Sequence, residues 1–238
     1  HQLPGDVFMD MAVDILDIST IIAYTTAQIL LTDNQLYNAD VNHDSYVDIL
    51  DVVMLVDCIL NVNCDQLTRN IASGTAAGTL NIDQSHYLAR SDEVNVISID
   101  SEIPVRGLQM DVQYEPEEYE FSLIEQLDAA SGLILEYNDD IPGLVKVVLY
   151  PEDMFEIPAG AQDILQLEFT GLERSTDGSM NLSLANTIVS GPNGIKIIMN
   201  ESSHVAGEFR LHPAYPNPFN PVTPFSCTHL PVPTNREV

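Results

Sequence analysis

Two stretches of the chain carry apolar residues at helical spacing, ILDISTIIAYTTAQI from residue 15 and ILDVVMLVDCIL from residue 49. Recurrence every three to four residues predicts a helix in each, with most of those apolar side chains forming ordinary core. Further on the pattern changes. LNI (80–82), VNVISI (94–99), GLQMDVQY (107–114), LVKVVLY (144–150), ILQLEFT (164–170), MNLSLA (180–185) and IKIIM (195–199) alternate or run apolar, with Gly, Pro, Asn and Asp between them. Short strands punctuated this way predict an antiparallel sandwich. Residues 211–238 hold half of the fourteen prolines, which excludes a helix there. The pattern therefore predicts a multidomain α + β chain, with a small all-α domain over 1–68, an all-β domain over 69–210 and an extended Pro-rich tail over 211–238.

Charge sharpens this division. The 238 residues carry 36 acidic and 8 basic side chains, a net charge of −28. Nucleic acid is excluded as a partner, because phosphates are met by clustered Lys and Arg. An anionic membrane surface is disfavoured for the same reason, and no apolar run is long enough to span a bilayer. With 45% hydrophobic residues the chain can still build a core. It opens at His1 with no signal-peptide pattern, the expectation for a mature or trimmed product.

The acidic residues are unevenly placed. Residues 1–68 contain eleven Asp and no Glu, Lys or Arg. A solvated acidic face would mix Asp with Glu, whereas Asp alone suits tight, oxygen-rich turns. DVFMDMAVDILD (6–17) and DVNHDSYVDILD (40–51) are identical at eight of twelve positions, offset by 34, which marks a duplication. In the second copy Asp40, Asn42, Asp44, Asp48 and Asp51 fall at positions 1, 3, 5, 9 and 12 of an EF-hand-like loop. Tyr46 stands at position 7, where the backbone carbonyl is the ligand. This oxygen set selects Ca²⁺. The first copy keeps Asp6, Asp10, Asp14 and Asp17, with Ala12 at the carbonyl position. Phe8 and Met11 replace the position-3 ligand and the usual Gly, so a weaker site is expected, and position 6 of the second loop is Ser45.

These two loop–helix units, their 34-residue spacing and the linker ending QLYNADVNHDSYVDILDVVMLVDCIL resemble a type I dockerin module. The resemblance implies two calcium loop–helix units related by a pseudo-twofold axis and an activity of binding a cohesin domain on another protein. In that family, loop positions 10 and 11 tend to contact the cohesin. Here they are Ile15 and Leu16 in one copy and Ile49 and Leu50 in the other; packing inside the module is the alternative for each pair. Identical pairs would allow binding in two orientations.

VRGLQMDVQYEPEEYEF (105–121), followed by LVKVVLY and IPAGAQDILQLEFTGL (157–172), resembles a cohesin-like domain, which implies a jelly-roll sandwich. A carbohydrate-binding module is the alternative, but the chain has no Trp for a sugar platform. Tyr114, Tyr119, Phe121, Tyr137, Tyr150 and Phe155 are expected in the core or at its rim. No GxSxG or HExxH motif is present, His86, His204, His212 and His229 are scattered, and no enzyme activity is expected. AYPNPFNPVT (214–223) resembles the opening of a type IX secretion C-terminal sorting domain, a family that continues for several more strands, whereas this chain stops at Val238.

Cys58 and Cys64 bracket ILNVN, a separation that a chain reversal can close, so they form either a disulfide or two free thiols, with Cys227 left over. A disulfide would place the chain in an oxidising compartment. The expectation is an extracellular, non-catalytic assembly protein. Its dockerin-like module would bind a cohesin-like domain of another copy or of a scaffold protein, head to tail, as a homo-polymer. The alternatives are a portion of a larger secreted polysaccharide-degrading enzyme or a cell-surface carbohydrate-binding module.

Overall fold

A computed structural model describes residues 3–61, 76–85, 92–172 and 180–204. The Pro-rich tail, its sorting-domain-like segment, Cys64, Cys227, His86, His212 and His229 lie outside the described residues.

The helical region holds α1 (Ile15–Thr25), α2 (Asp33–Ala39) and α3 (Ile49–Asn61). Asp14 caps α1, accepting a hydrogen bond from the Leu16 amide while Asp17 reaches back to the Asp14 amide. Thr32 and Gln35 form the same reciprocal cap on α2. Such caps satisfy amides that have no partner in the first turn. Ile18, Ile21 and Ile22 of α1 meet Val52, Val53, Leu55 and Val56 of α3 in one core with Val7 and Val41. Most of α3 is buried, on more than one side. A helix apolar all round needs a second surface to cover it, and the sandwich supplies that surface.

The β region has nine strands: β1 (Ala76–Ser85), β2 (Asp92–Ser101), β3 (Gly107–Gln113), β4 (Tyr119–Gln126), β5 (Leu133–Ile141), β6 (Leu144–Pro151), β7 (Gly160–Gly171), β8 (Ser183–Ser190) and β9 (Lys196–His204). Their order is β4-β7-β2-β1-β9-β8-β3-β6-β5, and β1 runs parallel to β9. The other pairs are antiparallel. The sheet curls so that Ile97, Leu165, Leu167 and Phe169 share one core with Leu108, Met110, Val112, Val145 and Leu149. Its outermost strands approach each other, with the rings of Phe121 (β4) and Tyr137 (β5) 5.8 Å apart. Tyr119 and Tyr150 are buried, and the rings of Tyr114 and Phe121 meet Phe169 tilted and edge-on at 5.2 and 5.6 Å, so these aromatics are committed to packing. The helical and β regions thus appear where the hydrophobic pattern changes from a period of three to four to a period of two.

Candidate functional site: two acidic loops and the seat of α3

The duplicated loops share their carboxylate hydrogen bonds, and the second adds two through the Asn42 side chain, which has no counterpart at Phe8. In the first, the Asp6 carboxylate accepts the Asp10 and Met11 amides, each at 3.0 Å. In the second, Asp40 accepts the Asp44 and Ser45 amides at 3.1 and 3.0 Å. The last carboxylate of each loop folds back over the first residues. Asp17 accepts from Val7, Phe8 and Asp14, and Asp51 accepts from Val41, Asn42 and Asp48. Asp10 and Asp44 each close a turn on the amide two residues on, and so do Asp14 and Asp48. Met9 and Met11 have φ of 66° and 73°, matched by His43 and Ser45 at 60° and 73°. The left-handed turn of position 6 is thus formed by Met and Ser where Gly would carry no steric penalty.

These loops place Asp6, Asp10, Asp14 and Asp17, with the Ala12 position, around one turn, and Asp40, Asn42, Asp44, Asp48 and Asp51, with the Tyr46 position, around the other. Among the described residues, no three His, Cys, Asp or Glu side chains converge closely enough to hold a metal ion as they stand, and their carboxylates are engaged by loop amides. The donor chemistry nonetheless fits a hard cation. Four carboxylates and an amide oxygen surround the second loop; no Lys or Arg lies within residues 1–68, and Lys196 of β9 offsets only part of the charge at Asp48. In the first loop Phe8 supplies no ligand oxygen.

Electrostatics reflects this crowding. Burial pushes the Asp48 carboxyl up to about 6, and the charges of Asp44 and Asp40 add to the shift. Asp51 is raised well above the usual carboxylate range, chiefly by burial and then by Asp48 and Asp40. Burial likewise raises Asp17, partly offset by its backbone donors.

The two loop–helix units part company at positions 10 and 11. Ile15 and Leu16 are 56% and 44% exposed, and beside them Phe8, Met9 and Met11 are also exposed. Ile49 and Leu50, the equivalent pair, are 0% and 3% exposed. They face the chain's own sandwich, where α3 lies against β3, β6, β8 and the 3-10 turn Pro192–Gly194. Binding in two equivalent orientations requires both pairs to be open, and in this arrangement one is open and one is covered.

The covered face is built for this helix. A Cβ placed on Gly107 would lie 2.7 Å from Ile49 Cγ1 and 2.9 Å from Val53 Cγ2. One placed on Gly194 would lie 2.6 Å from Met54 Cγ. Arg106, 1% exposed, donates to Asp57 Oδ1 at 2.7 Å and to the Asp153 carbonyl at 2.6 Å. The Asn193 amide donates to Asp57 Oδ2 at 3.2 Å. Burial holds the Asp57 carboxyl above its usual range, although Arg106 and the Asn193 amide pull it down. Val148 and Tyr150 of β6 belong to the same buried cluster as the helices. Further along, the Asn138 side-chain amide donates to the Thr26 carbonyl after α1 at 2.9 Å. No motif or periodicity in the sequence marks Asp57, Arg106, Gly107 or Gly194. A hint lay in composition: a chain with eight cations that places one in the apolar segment VRGLQM has a reason to bury it.

Cys58 is disulfide-bonded, while Cys64, its expected partner, lies outside the described residues. Among the described residues no helix is long and apolar enough to cross a membrane.

Residues 4–60, which span both loops and all but the last residue of α3, match the family model of the dockerin type I domain. Dockerin type I domains are a family of protein–protein interaction modules, and the match is confined to the helical region. Solved structures similar to the chain include the sixth cohesin of Acetivibrio cellulolyticus scaffoldin B in complex with a mutant Cel5 dockerin. It is 14% identical with a TM-score of 0.48, covering 53% of this chain and 94% of that one. A non-cellulosomal cohesin from Archaeoglobus fulgidus is 15% identical with a TM-score of 0.45, covering 53% and 86%. The seventh ScaB type I cohesin from Pseudobacteroides cellulosolvens is 12% identical with a TM-score of 0.46, covering 57% and 96%. No curated protein matches the chain.

Proposed function

We propose that this chain is a secreted, non-catalytic, calcium-dependent assembly protein in which the helical region recognises a cohesin-like sandwich. The observation that carries this reading is the seat of α3. A dockerin-type helix lies on a nine-stranded sandwich, with Gly107 cleared beneath it and a buried ion pair fixing its register. That is the chemistry of specific recognition, apolar contact at the centre and one charge pair that punishes misalignment.

In this reading calcium is held by Asp40, Asn42, Asp44, the Tyr46 carbonyl, Asp48 and Asp51, and more weakly by Asp6, Asp10, the Ala12 carbonyl, Asp14 and Asp17. A divalent cation supplies the positive charge that residues 1–68 lack. Because Asp48 caps α3 and Asp51 lies in its first turn, the second loop aims Ile49 and Leu50 at the sandwich. The exposed Ile15 and Leu16 form the corresponding contact on the first copy, free for a cohesin-like domain of another chain.

In its fuller form the partner is another copy. A seat filled by the helix of the next molecule joins copies head to tail, and a head-to-tail contact that does not close into a ring produces a filament or tube. Export is supported by the AYPNPFNPVT segment and by the disulfide at Cys58. The test is light scattering across a concentration series, with calcium and with a chelator. Calcium-dependent growth in mass is expected, and monomers throughout would remove the self-assembly reading.

A further inference from the structure

We propose that the seat of α3 is a self-cap: each copy closes its sandwich face with its own α3, and copies join through that seat only by exchanging the helical region that carries α3. The inference rests on the assembly reading above and adds its regulation.

The face of α3 turned to the sandwich is Ile49, Leu50, Val53, Met54 and Asp57, at spacings i, i+1, i+4, i+5 and i+8, a single helical stripe. Opposite it, Gly107 has no left-handed φ, so its backbone makes no demand for glycine. The three atoms nearest a Cβ there all belong to Ile49 and Val53. The missing side chain at 107 therefore serves α3. Arg106 makes a similar point, since its guanidinium is buried from water and spends a hydrogen bond on Asp57. Without α3 the face would expose Val148 and Tyr150 and leave that cation without its carboxylate.

The face accepts the helical region from any copy, because exchanging residues 3–61 as one body keeps the α1–α3 core and every contact with the sandwich and changes only which chain provides them. Residues 62–75 join α3 to β1. Fourteen residues can span at most about 50 Å, and the eleven that remain if Cys58 pairs with Cys64 about 40 Å, enough for α3 to reach its own face or a neighbour's. A tether of that length holds α3 at an effective concentration on the order of millimolar. Below that the chain closes on itself and head-to-tail growth stays latent. Closure covers Ile49 and Leu50 but leaves Ile15 and Leu16 open, so a capped copy still presents its first loop–helix unit.

The test uses two single variants of the full chain in calcium. Gly107→Val spoils the face and leaves the helix intact; Asp57→Lys spoils the helix and leaves the face intact. Neither closes on itself, yet the α3 of the first fits the face of the second. The expected result is a 1:1 heterodimer at micromolar concentration by native mass spectrometry, absent from either variant alone and from mixtures of either with wild type. No heterodimer, with both variants keeping their far-ultraviolet spectra, overturns the self-cap. If wild type nevertheless assembles with calcium, the assembly reading survives that failure; if wild type stays monomeric up to millimolar concentration, both fall. A second route needs no substitution. Wild type, half of it isotopically heavy, is brought to about 1 mM, opened with chelator, closed with calcium and diluted. Mixed-mass dimers are expected, and their absence overturns the exchange.

Discussion

Asp57 and Arg106 lie 49 residues apart in sequence and 2.7 Å apart in the fold, an ion pair between the second acidic loop's helix and the lip of β3. Arg106 is 1% exposed and its Nε has no partner among the described residues, so Asp57 is the carboxylate that balances it. Removing one member of a buried pair leaves an uncompensated charge, at a cost of about 3–5 kcal/mol. Asp57→Ala should therefore lower the midpoint of urea unfolding substantially. Replacing both residues together with apolar ones should recover most of the loss. A double variant no better than the single would show that the pair does not couple the two regions.

Gly107→Ala should destabilise by about 2 kcal/mol, the usual cost of overpacking by a methyl group. The loss should fall on the contact with α3, because Ile49 and Val53 are what the new methyl group meets. Hydrogen exchange checks this. Amides of α3 should exchange faster while those of β2 and β7, on the opposite layer, keep their protection.

At the left-handed position of each loop, Met11→Gly and Ser45→Gly should each stabilise by about 1 kcal/mol, since both native residues hold a φ of 73°. Thermal melting reads the effect. Because α3 leaves the second loop, Ser45→Gly should also tighten calcium binding measured by titration calorimetry.

The pH dependence should change direction with calcium. In chelator, Asp48 is raised from 3.8 to about 6, so the native state holds a proton that the unfolded state has released. Its contribution is full below pH 3.8 and is lost as pH rises through 6, about 3 kcal/mol at most. Asp17, Asp51 and Asp57 are raised too and act in the same sense. The calcium-free protein should thus melt higher at pH 4.5 than at pH 7. With calcium the carboxylates must be ionised to bind, and the midpoint should fall on acidification.

Much of this arrangement could be read before the fold was known. The offset of 34 between two aspartate-bearing dodecamers anticipates two loops with matching hydrogen bonds, because carboxylates at fixed intervals dictate which amides they can reach. The apolar segments VNVISI and GLQMDVQY anticipate β2 and β3 as strands but not their buried faces: in β2 it is Asn95, Ile97 and Ile99 that point inward, and β3 is covered on both sides. What could not be read was the difference between Ile15–Leu16 and Ile49–Leu50. The pairs are identical locally, and their fates are decided by Gly107, Gly194 and Arg106, residues 57 to 145 positions beyond Ile49. Long-range complementarity of this kind leaves no periodic signal. The uniformly apolar stretch VVMLV in α3 was the nearest trace of it, since a helix covered on one side has no use for apolar residues on the other.

The most direct test of the account is a nuclear Overhauser experiment on dilute, calcium-loaded protein, observing the Ile49 and Val53 methyl groups against the Gly107 α-protons. Labelled and unlabelled copies mixed in equal amounts separate contacts within a chain from contacts between chains. The account predicts strong cross-peaks that arise within single chains. Their absence, with the α3 methyl groups exposed to solvent, would contradict it.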